Sequence, residues 1–395
     1  MTRNNPRSRI LIMVVALASA AVLGGCGGAE PKPAGGRQSV IRLGALVPLT
    51  GTTAQAGREM RDAAQMAVNE ANAAGGVLGR QVQLLALDDA CDPGTAVLGA
   101  NDLVAKDIAV SVGGYCSSAA VPTLKVFRDA GIPMVIALAN STDLLAPKYD
   151  SVFLISGTVA AEGAFAVAAM RRMGVRRLLI VNDGTSFPVR LGQATAASAA
   201  EHGAGIRVVG TRGLSQGAAS YSRLANQIVG DGVDTVSFTG YYGEANQLIK
   251  DLRTRGYTGR IFVGDGATDG PILAGLTDAQ TKNVYGTAVM VPALMPSLAS
   301  WATRFAAATG REPAPGGPQA FDAVTVALDA IRRAGSTDHA AVRAAIAATP
   351  SLRLLTGTVR FNPDGTRANP KFLLLDVRDG KLAEMPTTTA GTSRN

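Results

Sequence analysis

The chain has 395 residues, of which 47% are hydrophobic, 17% are charged and 5% are aromatic. This composition excludes an intrinsically disordered chain, which combines low hydrophobicity with high charge. A single hydrophobic core stops growing at about 250–300 residues, so we expect two domains. The net charge of +8 is spread along the chain without a Lys/Arg run that alternates with aromatic residues, so no nucleic-acid partner is expected.

Residues 1–25 are predicted to be a lipoprotein signal peptide. Three arginines form a basic start, and residues 10–23 are apolar but shorter than the roughly 20 residues of a membrane span. Small residues then precede Cys26, as in a bacterial lipobox. We therefore expect cleavage after Gly25 and lipid attachment at Cys26, with an ordinary secretory signal as the alternative.

Residues 26–39 are rich in Gly, Pro and Ala and are predicted to form a lipidated tether. The protein is thus expected to be exported, and to be lipid-anchored at the outer face of the cell membrane or held in the periplasm. Without Cys26, two cysteines remain, Cys91 and Cys116. In an exported chain they most simply form one disulfide, and two buried thiols are the alternative.

Predicted strands and helices then alternate in two successive runs. The first run has strands at 41–48, 82–87, 109–113 and 133–137 and helices at 58–74, 95–106 and 121–130. The second has helices at 161–173, 191–202, 221–229 and 244–255 and strands at 177–181, 206–210, 235–239 and 260–263. Such alternation is typical of parallel sheets with helices on both faces, so the predicted fold class is α/β with two doubly wound lobes.

The last part of the chain differs from this rhythm. It has a predicted strand at 284–292, helices at 300–309, 320–334 and 342–349, and a β-hairpin of 357–361 with 371–377. These elements can return the chain to the first lobe and then to the second, which would make a hinge and a cleft between two sheets. The predicted domains are lobe I (40–159 and 288–345), lobe II (160–287 and 346–385) and a disordered tail (386–395).

Signals for metal or cofactor chemistry are weak. The two histidines, His202 and His339, have no cysteine or carboxylate neighbours at zinc spacing, so no metal is expected. Residues 264–269 start like a dinucleotide-binding loop, but the last position is Asp269 and Pro271 follows soon after. A plain turn between a strand and a helix is the better interpretation, and no cofactor is expected.

Residues 213–217 (GLSQG) match the G-x-S-x-G pattern of a serine nucleophile. The elbow requires a strand that enters directly and a helix that follows at once. Two residues separate the predicted strand from this segment, and the predicted helix begins late. His339 is the sole downstream base, so Ser215 is expected to be a loop residue and no catalytic residue is assigned.

Several segments together resemble the leucine/isoleucine/valine-binding proteins, the periplasmic solute-binding subunits of ABC importers. They are IRLGALVPLTG (41–51), NEANAAGGVLG (69–79), DDACDP (88–93), GGYCSS (113–118), GYYGE (240–244) and FDAV (321–324). The resemblance implies two α/β lobes joined by three crossovers, closure around a small molecule, and ABC permease subunits as partners. It also implies a monomer without enzymatic activity, and it supports the Cys91–Cys116 disulfide.

The same resemblance implies a ligand site between the lobes. Its residues are Ala56, Cys116, Ser117, Leu138, Ala139, Asn140, Phe187, Tyr241 and Asp265. Ser117 and Asn140 (or Ser141, if the alignment shifts by one) would hold the ligand carboxylate, and Ser117 is also predicted as a helix N-cap. The backbone carbonyl of Leu138 and the carboxylate of Asp265 would meet the ammonium. From its own sequence neighbours, a turn aspartate is the alternative interpretation of Asp265.

Three positions depart from the amino-acid binders of this family, and one of them is Asn140, which stands where those proteins usually have threonine. Ala56 and Phe187 stand where those proteins have tyrosines, so a larger and less polar pocket is expected. The expected ligand is a branched-chain or other small amino acid, or a related amide or carboxylate. Two other functions stay open, a ligand-sensing module that signals through a partner protein and an exported serine hydrolase that uses Ser215.

Overall fold

The computed structural model describes residues 40–201 and 205–385. The predicted signal peptide, Cys26, the tether, His202 and the predicted tail lie outside these residues. Among the described residues, no helix is long and apolar enough to cross a membrane.

Sheet A contains five parallel strands in the order β2-β1-β3-β4-β5. The strands are β1 (Ile41–Val47), β2 (Val82–Asp88), β3 (Val110–Ser111), β4 (Met134–Ile136) and β5 (Val152–Leu154). Six helices belong to this part of the chain: α1 (Ala54–Ala73), α2 (Pro93–Ala105), α3 (Ser117–Asp129), α10 (Ala299–Thr309), α11 (Gly317–Ala334) and α12 (His339–Ala347). Apolar residues of β1, α1 and α11 are buried in one shared cluster, which explains why these elements stack.

Sheet B contains seven strands in the order β14-β13-β10-β9-β8-β6-β7. They are β6 (Arg177–Asn182), β7 (Arg207–Gly213), β8 (Thr235–Phe238), β9 (Arg260–Val263), β10 (Val284–Ala288), β13 (Leu373–Arg378) and β14 (Lys381–Glu384). The helices of this part are α4 (Val159–Arg172), α5 (Ser186–Glu201), α6 (Ser222–Gly230), α7 (Tyr242–Thr254), α8 (Asp265–Thr268) and α9 (Asp278–Thr281). Strands β6 to β10 are parallel, and β13 and β14 are antiparallel additions.

The chain changes sheets where the sequence pattern changes. It leaves sheet A after β5, returns after β10 to form α10–α12, and enters sheet B again at β13. The predicted α/β class with two doubly wound parallel sheets is therefore confirmed. In both sheets the strand order reverses beside the first strand, at β1/β3 in sheet A and β6/β8 in sheet B, and such switch points are where open α/β sheets bind ligands.

Some predicted elements differ from the structure. Helix α1 begins at Ala54 rather than at residue 58, and β3 is only two residues long. Strand β5 was not predicted, because three buried residues are too few to show a period.

The predicted C-terminal hairpin is wrong. Residues 357–359 form β12, which pairs with β11 (Leu352–Leu354), whereas β13 pairs with β10. A single bridge joins Phe361 to Arg367, which lies outside the predicted second strand. The sequence pattern of a strand shows which face is buried, but it does not show which strand it pairs with. Leu374 and Leu375 of β13 are buried only against sheet B.

Candidate functional site

The predicted ligand-site residues meet where the carboxyl ends of the two sheets approach each other. All of them are buried: Ala56, Cys116, Ser117, Leu138, Ala139, Asn140, Phe187, Tyr241 and Asp265. Those of sheet A follow β1, β3 and β4, and those of sheet B follow β6, β8 and β9. Two adjacent switch points therefore place residues far apart in sequence at one location.

A direct hydrogen bond joins the two sides of this site. The side-chain amide of Asn140, after β4, donates from Nδ2 to Oδ2 of Asp265, after β9, at 3.1 Å. Burial raises the pKa of Asp265 to about 6, although the amide of Asn140 and the backbone N–H of Gly266 both lower it. Asp265 thus accepts a nitrogen donor from across the cleft, and the role of Asn140 toward a ligand carboxylate stays a prediction.

Helix α3 presents its N-terminus to the site. It begins at Ser117, with Cys116 as the preceding N-cap residue and no side chain capping it. The Ser117 hydroxyl oxygen accepts from the backbone N–H of Ser141 at 3.3 Å, which leaves its own O–H available as a donor. Ser117 therefore lies inside the helix rather than at the predicted N-cap position. Free backbone N–H groups together with a hydroxyl donor form a site suited to an anion.

Two further carboxyl groups lie beside Asp265, and the sequence analysis missed both as site residues. Glu162 Oε1 accepts from the Asp265 backbone N–H at 2.9 Å and from the Thr287 hydroxyl at 2.5 Å. Burial and the charge of Asp265 raise the pKa of Glu162 and of Asp269 well above their ordinary range. Only Asp269 had a sequence signal, since it closes the glycine-rich segment that contains Asp265.

Aromatic rings from both sides line the same region. The Tyr241 ring centroid is 5.7 Å from that of Tyr115 and 5.5 Å from that of Phe187. A Cβ added to Gly266 would lie 2.9 Å from Phe187 Cε1, so the glycine lets the Asp265 loop rest on the rings. Tyr115 was not predicted as a site residue, although it lies within the GGYCSS segment.

Ala56 and Leu138 contribute to the apolar part of this wall. Both belong to the buried cluster that contains Tyr115, Phe187 and Tyr241. The small side chain of Ala56 lies buried in the first turn of α1.

The predicted disulfide between Cys91 and Cys116 is present, with a Cα–Cα distance of 5.3 Å. Cys91 has a positive φ of 54°, a backbone conformation that is uncommon for residues other than glycine. The sulfur of Cys91 lies 3.1 Å from the Thr53 hydroxyl oxygen, close to the start of α1. The bond therefore fixes the loop after β2 to the N-terminus of α3, directly beside Ser117.

A polar cluster at the edge of the buried site also connects the two sides. Asp143, in a short turn after β4, accepts from Arg190 Nε at 2.7 Å and from the Ser186 hydroxyl at 2.8 Å. The hydroxyls of Ser141 and Ser186 are 2.9 Å apart. Burial would raise the pKa of Asp143, but the bonds from Arg190 and Ser186 lower it below the ordinary value. We call these four residues the interlobe clasp.

The nucleophile-like segment does not form an elbow. Strand β7 extends to Gly213, further than predicted, but no helix follows until Ser222. Ser215 is exposed, and its carbonyl accepts from the Tyr221 hydroxyl at 2.8 Å. His339 lies at the start of α12, beside Ile108 of sheet A. Within the part of the chain that the structure describes, no cluster of three or more His, Cys, Asp or Glu residues could hold a metal ion.

Residues 40–381 match the model of the periplasmic binding protein family. The Leu/Ile/Val-binding protein BraC3 of Rhizobium johnstonii is 30% identical over 345 residues, which cover 87% of this chain and 93% of that protein. The fold is similar to that of a leucine-binding protein, LivK, from Thermotoga maritima, with a TM-score of 0.80, 22% identity, and coverage of 88% of this chain and 98% of that chain. A solute-binding protein from R. palustris in complex with benzoate gives a TM-score of 0.79 at 21% identity, with coverage of 88% and 96%.

The fold and the site thus define a two-sheet solute-binding protein. The chain belongs to the periplasmic binding protein family, which confirms the predicted resemblance. Its relatives are named as binding proteins rather than enzymes, so the hydrolase alternative is wrong.

Proposed function

We propose that this protein is the extracytoplasmic solute-binding subunit of an ABC importer and binds a branched-chain or other small amino acid, or a related amide or carboxylate. The observation that carries this is the pairing of opposite polar ends at one buried place. Asp265 supplies a carboxylate from one side, and Ser117 with the start of α3 supplies donors from the other.

The two ends are close enough for one small molecule. Asp265 bonds to Asn140, and Ser117 bonds to the next residue, Ser141. Asn140 and Ser141 are consecutive, so the acidic group and the donors are held by neighbouring residues of one loop. Each charge-assisted hydrogen bond to a zwitterion contributes about 1.5–3 kcal/mol.

The lobe boundaries and the closing motion belong to the same proposal. Lobe I comprises residues 40–159 and 288–345, and lobe II comprises residues 160–287 and 346–385, with the crossings as the hinge. A ligand that contacts Ser117 of lobe I and Asp265 of lobe II binds the closed form more tightly than the open form, so it shifts the equilibrium toward closure. The closed protein would then dock, as a monomer, on its permease.

Ligand binding can be tested by thermal shift and calorimetry with amino acids, amides and small carboxylates. A ligand at 100 times its Kd should stabilise the protein by about 2.7 kcal/mol. Asp265→Ala and Ser117→Ala should each weaken binding by at least about tenfold, because each removes a charge-assisted bond. Ser215→Ala, at an exposed loop residue, is the control and should bind like wild type. The proposal fails if no compound in the panel binds, or if the first two variants bind unchanged.

The membrane attachment has its own test. Cys26→Ser should move the protein from the membrane fraction to the soluble exported fraction, because the acyl chains provide the anchor. Retention of this variant in the membrane fraction would contradict lipid attachment at Cys26.

A further inference from the structure

Two buried polar groups from opposite sides of the site have no hydrogen-bond partner. Asp269 is 4% exposed and its Oδ1 is unpaired among the described residues; Tyr115 is also 4% exposed and its hydroxyl is likewise unpaired there. Leaving such a group buried and unsatisfied destabilises the protein. A pair of unsatisfied groups at a ligand cleft therefore indicates that the ligand supplies their hydrogen-bond partners.

These two groups face each other beside Asp265. Burial and the charge of Asp265 raise the pKa of Asp269, and the neighbouring Tyr115 hydroxyl lowers it, although the two side chains do not meet hydrogen-bond geometry. The ring of Tyr115 lies 5.7 Å from that of Tyr241. A Cβ added to Gly270, next to Asp269, would lie 2.4 Å from the Tyr242 ring. Aromatic rings thus lie near the aspartate, and the faces of such rings attract cations.

In the described part of the chain, the buried carboxyl groups of the site also lack cationic partners. Glu162, Asp265 and Asp269 are all buried, and across residues 40–201 and 205–385 none of them forms an ion pair with Lys, Arg or His. Glu162 bonds to the backbone of Asp265 and to Thr287, so it supports the loop. A single ligand ammonium at Asp265 would still leave Asp269 Oδ1 without a donor and the Tyr115 hydroxyl without a partner.

We propose that Asp269 and Tyr115 form a second polar subsite that selects ligands with an additional N–H group, either an ammonium or an amide, on the side chain. This inference rests on the proposed function, because it takes Asp265 as the site of the α-ammonium. The preferred substrate is then a small amino acid with a nitrogen-bearing side chain, and an aliphatic side chain of the same shape is disfavoured. An aliphatic group would bury Asp269 Oδ1 and the Tyr115 hydroxyl without partners.

Isosteric ligand pairs test this directly. Calorimetry on the purified protein compares 2,4-diaminobutyrate with norvaline, for an ammonium, and asparagine with leucine, for an amide. We expect the nitrogen-bearing member of at least one pair to bind at least tenfold more tightly. Asp269→Asn should reduce that ratio by tenfold or more for the ammonium pair, and Tyr115→Phe should reduce the ratio of the preferred pair by about threefold to tenfold. Asp278→Asn, at an exposed aspartate of α9, is the matched control for the loss of one charge.

The outcomes separate this inference from the proposed function. If leucine or norvaline binds more tightly than its partner and depends on Asp265, while Asp269→Asn binds like wild type, the second subsite is wrong and the transport function stands. If none of the four compounds binds but another compound of the amino-acid, amide and carboxylate panel does, the second subsite is wrong and the transport function stands. If no compound of that panel binds, both are wrong. Asp269→Asn is isosteric, so its unfolding temperature without ligand shows whether a reduced affinity ratio comes from a damaged fold. If the fold is damaged, the affinity ratio of Tyr115→Phe decides whether the second subsite exists.

Discussion

Asp265 provides a prediction in which stability and binding change in opposite directions. The carboxyl is buried beside Glu162 and Asp269, and burial raises its pKa from 3.8 to about 6. A raised carboxyl pKa means that the folded protein holds the proton more tightly than the unfolded chain. Ionisation at neutral pH therefore destabilises the fold. Asp265→Asn removes this penalty and should give a more stable unliganded protein that binds amines poorly.

The magnitude follows from the pKa difference. Each pKa unit corresponds to about 1.36 kcal/mol, so a shift of about two units costs up to about 3 kcal/mol above pH 6. Asparagine keeps the size of the side chain and retains an oxygen that can accept from Asn140. We therefore expect the variant to gain about 1–3 kcal/mol at pH 7. Below about pH 4 both states of the wild type are protonated, so the gain should vanish there and grow between about pH 4 and 6.

Denaturant unfolding of both proteins at about pH 4 and about pH 7 measures this difference. Bound ligand must first be removed by unfolding and dialysis, because it would stabilise the wild type alone. The exposed Asp278→Asn variant controls for the change in net charge. The reasoning is refuted if Asp265→Asn is less stable than wild type at pH 7, or if its gain is the same at both pH values.

Three further predictions concern the supports of the site. Reducing the Cys91–Cys116 bond, which spans a sequence separation of 25, should lower the free energy of unfolding by about 3.5 kcal/mol in urea titrations with and without reductant. An unchanged midpoint would contradict this. Arg190→Ala should weaken ligand binding by up to about fivefold in calorimetry, since a partly exposed ion pair with Asp143 contributes about 0.2–1 kcal/mol to closure. Stronger binding would show that the clasp does not favour the closed form. Arg367→Ala should destabilise the fold by at least about 2 kcal/mol in thermal unfolding, because this buried guanidinium donates to several backbone carbonyls near the crossings. A loss below about 0.5 kcal/mol would exclude that role.

Local sequence patterns predicted most of the α/β elements because each element carries its own period and end signals. Strand β9 matches the predicted residues 260–263, and helices α10 and α11 both end at glycines in the left-handed conformation, Gly310 and Gly335. The errors occurred where the signal was short or nonlocal. Strand β5 has only three residues, and the predicted C-terminal hairpin chose the wrong partner because pairing depends on which sheet buries Leu374 and Leu375.

The sequence by itself determined the fold class, the family and the individual residues at the strand ends, among them Ser117 and Asp265. These residues lie in short segments, and each segment can be compared with the family by itself. Only the tertiary structure decided which side chains meet. Asn140 and Asp265 bond across 125 residues of chain, and Tyr115 approaches Asp269 from the other sheet. Such contacts arise from the approach of two sheets, and burial then sets the pKa values, so no local pattern contains them.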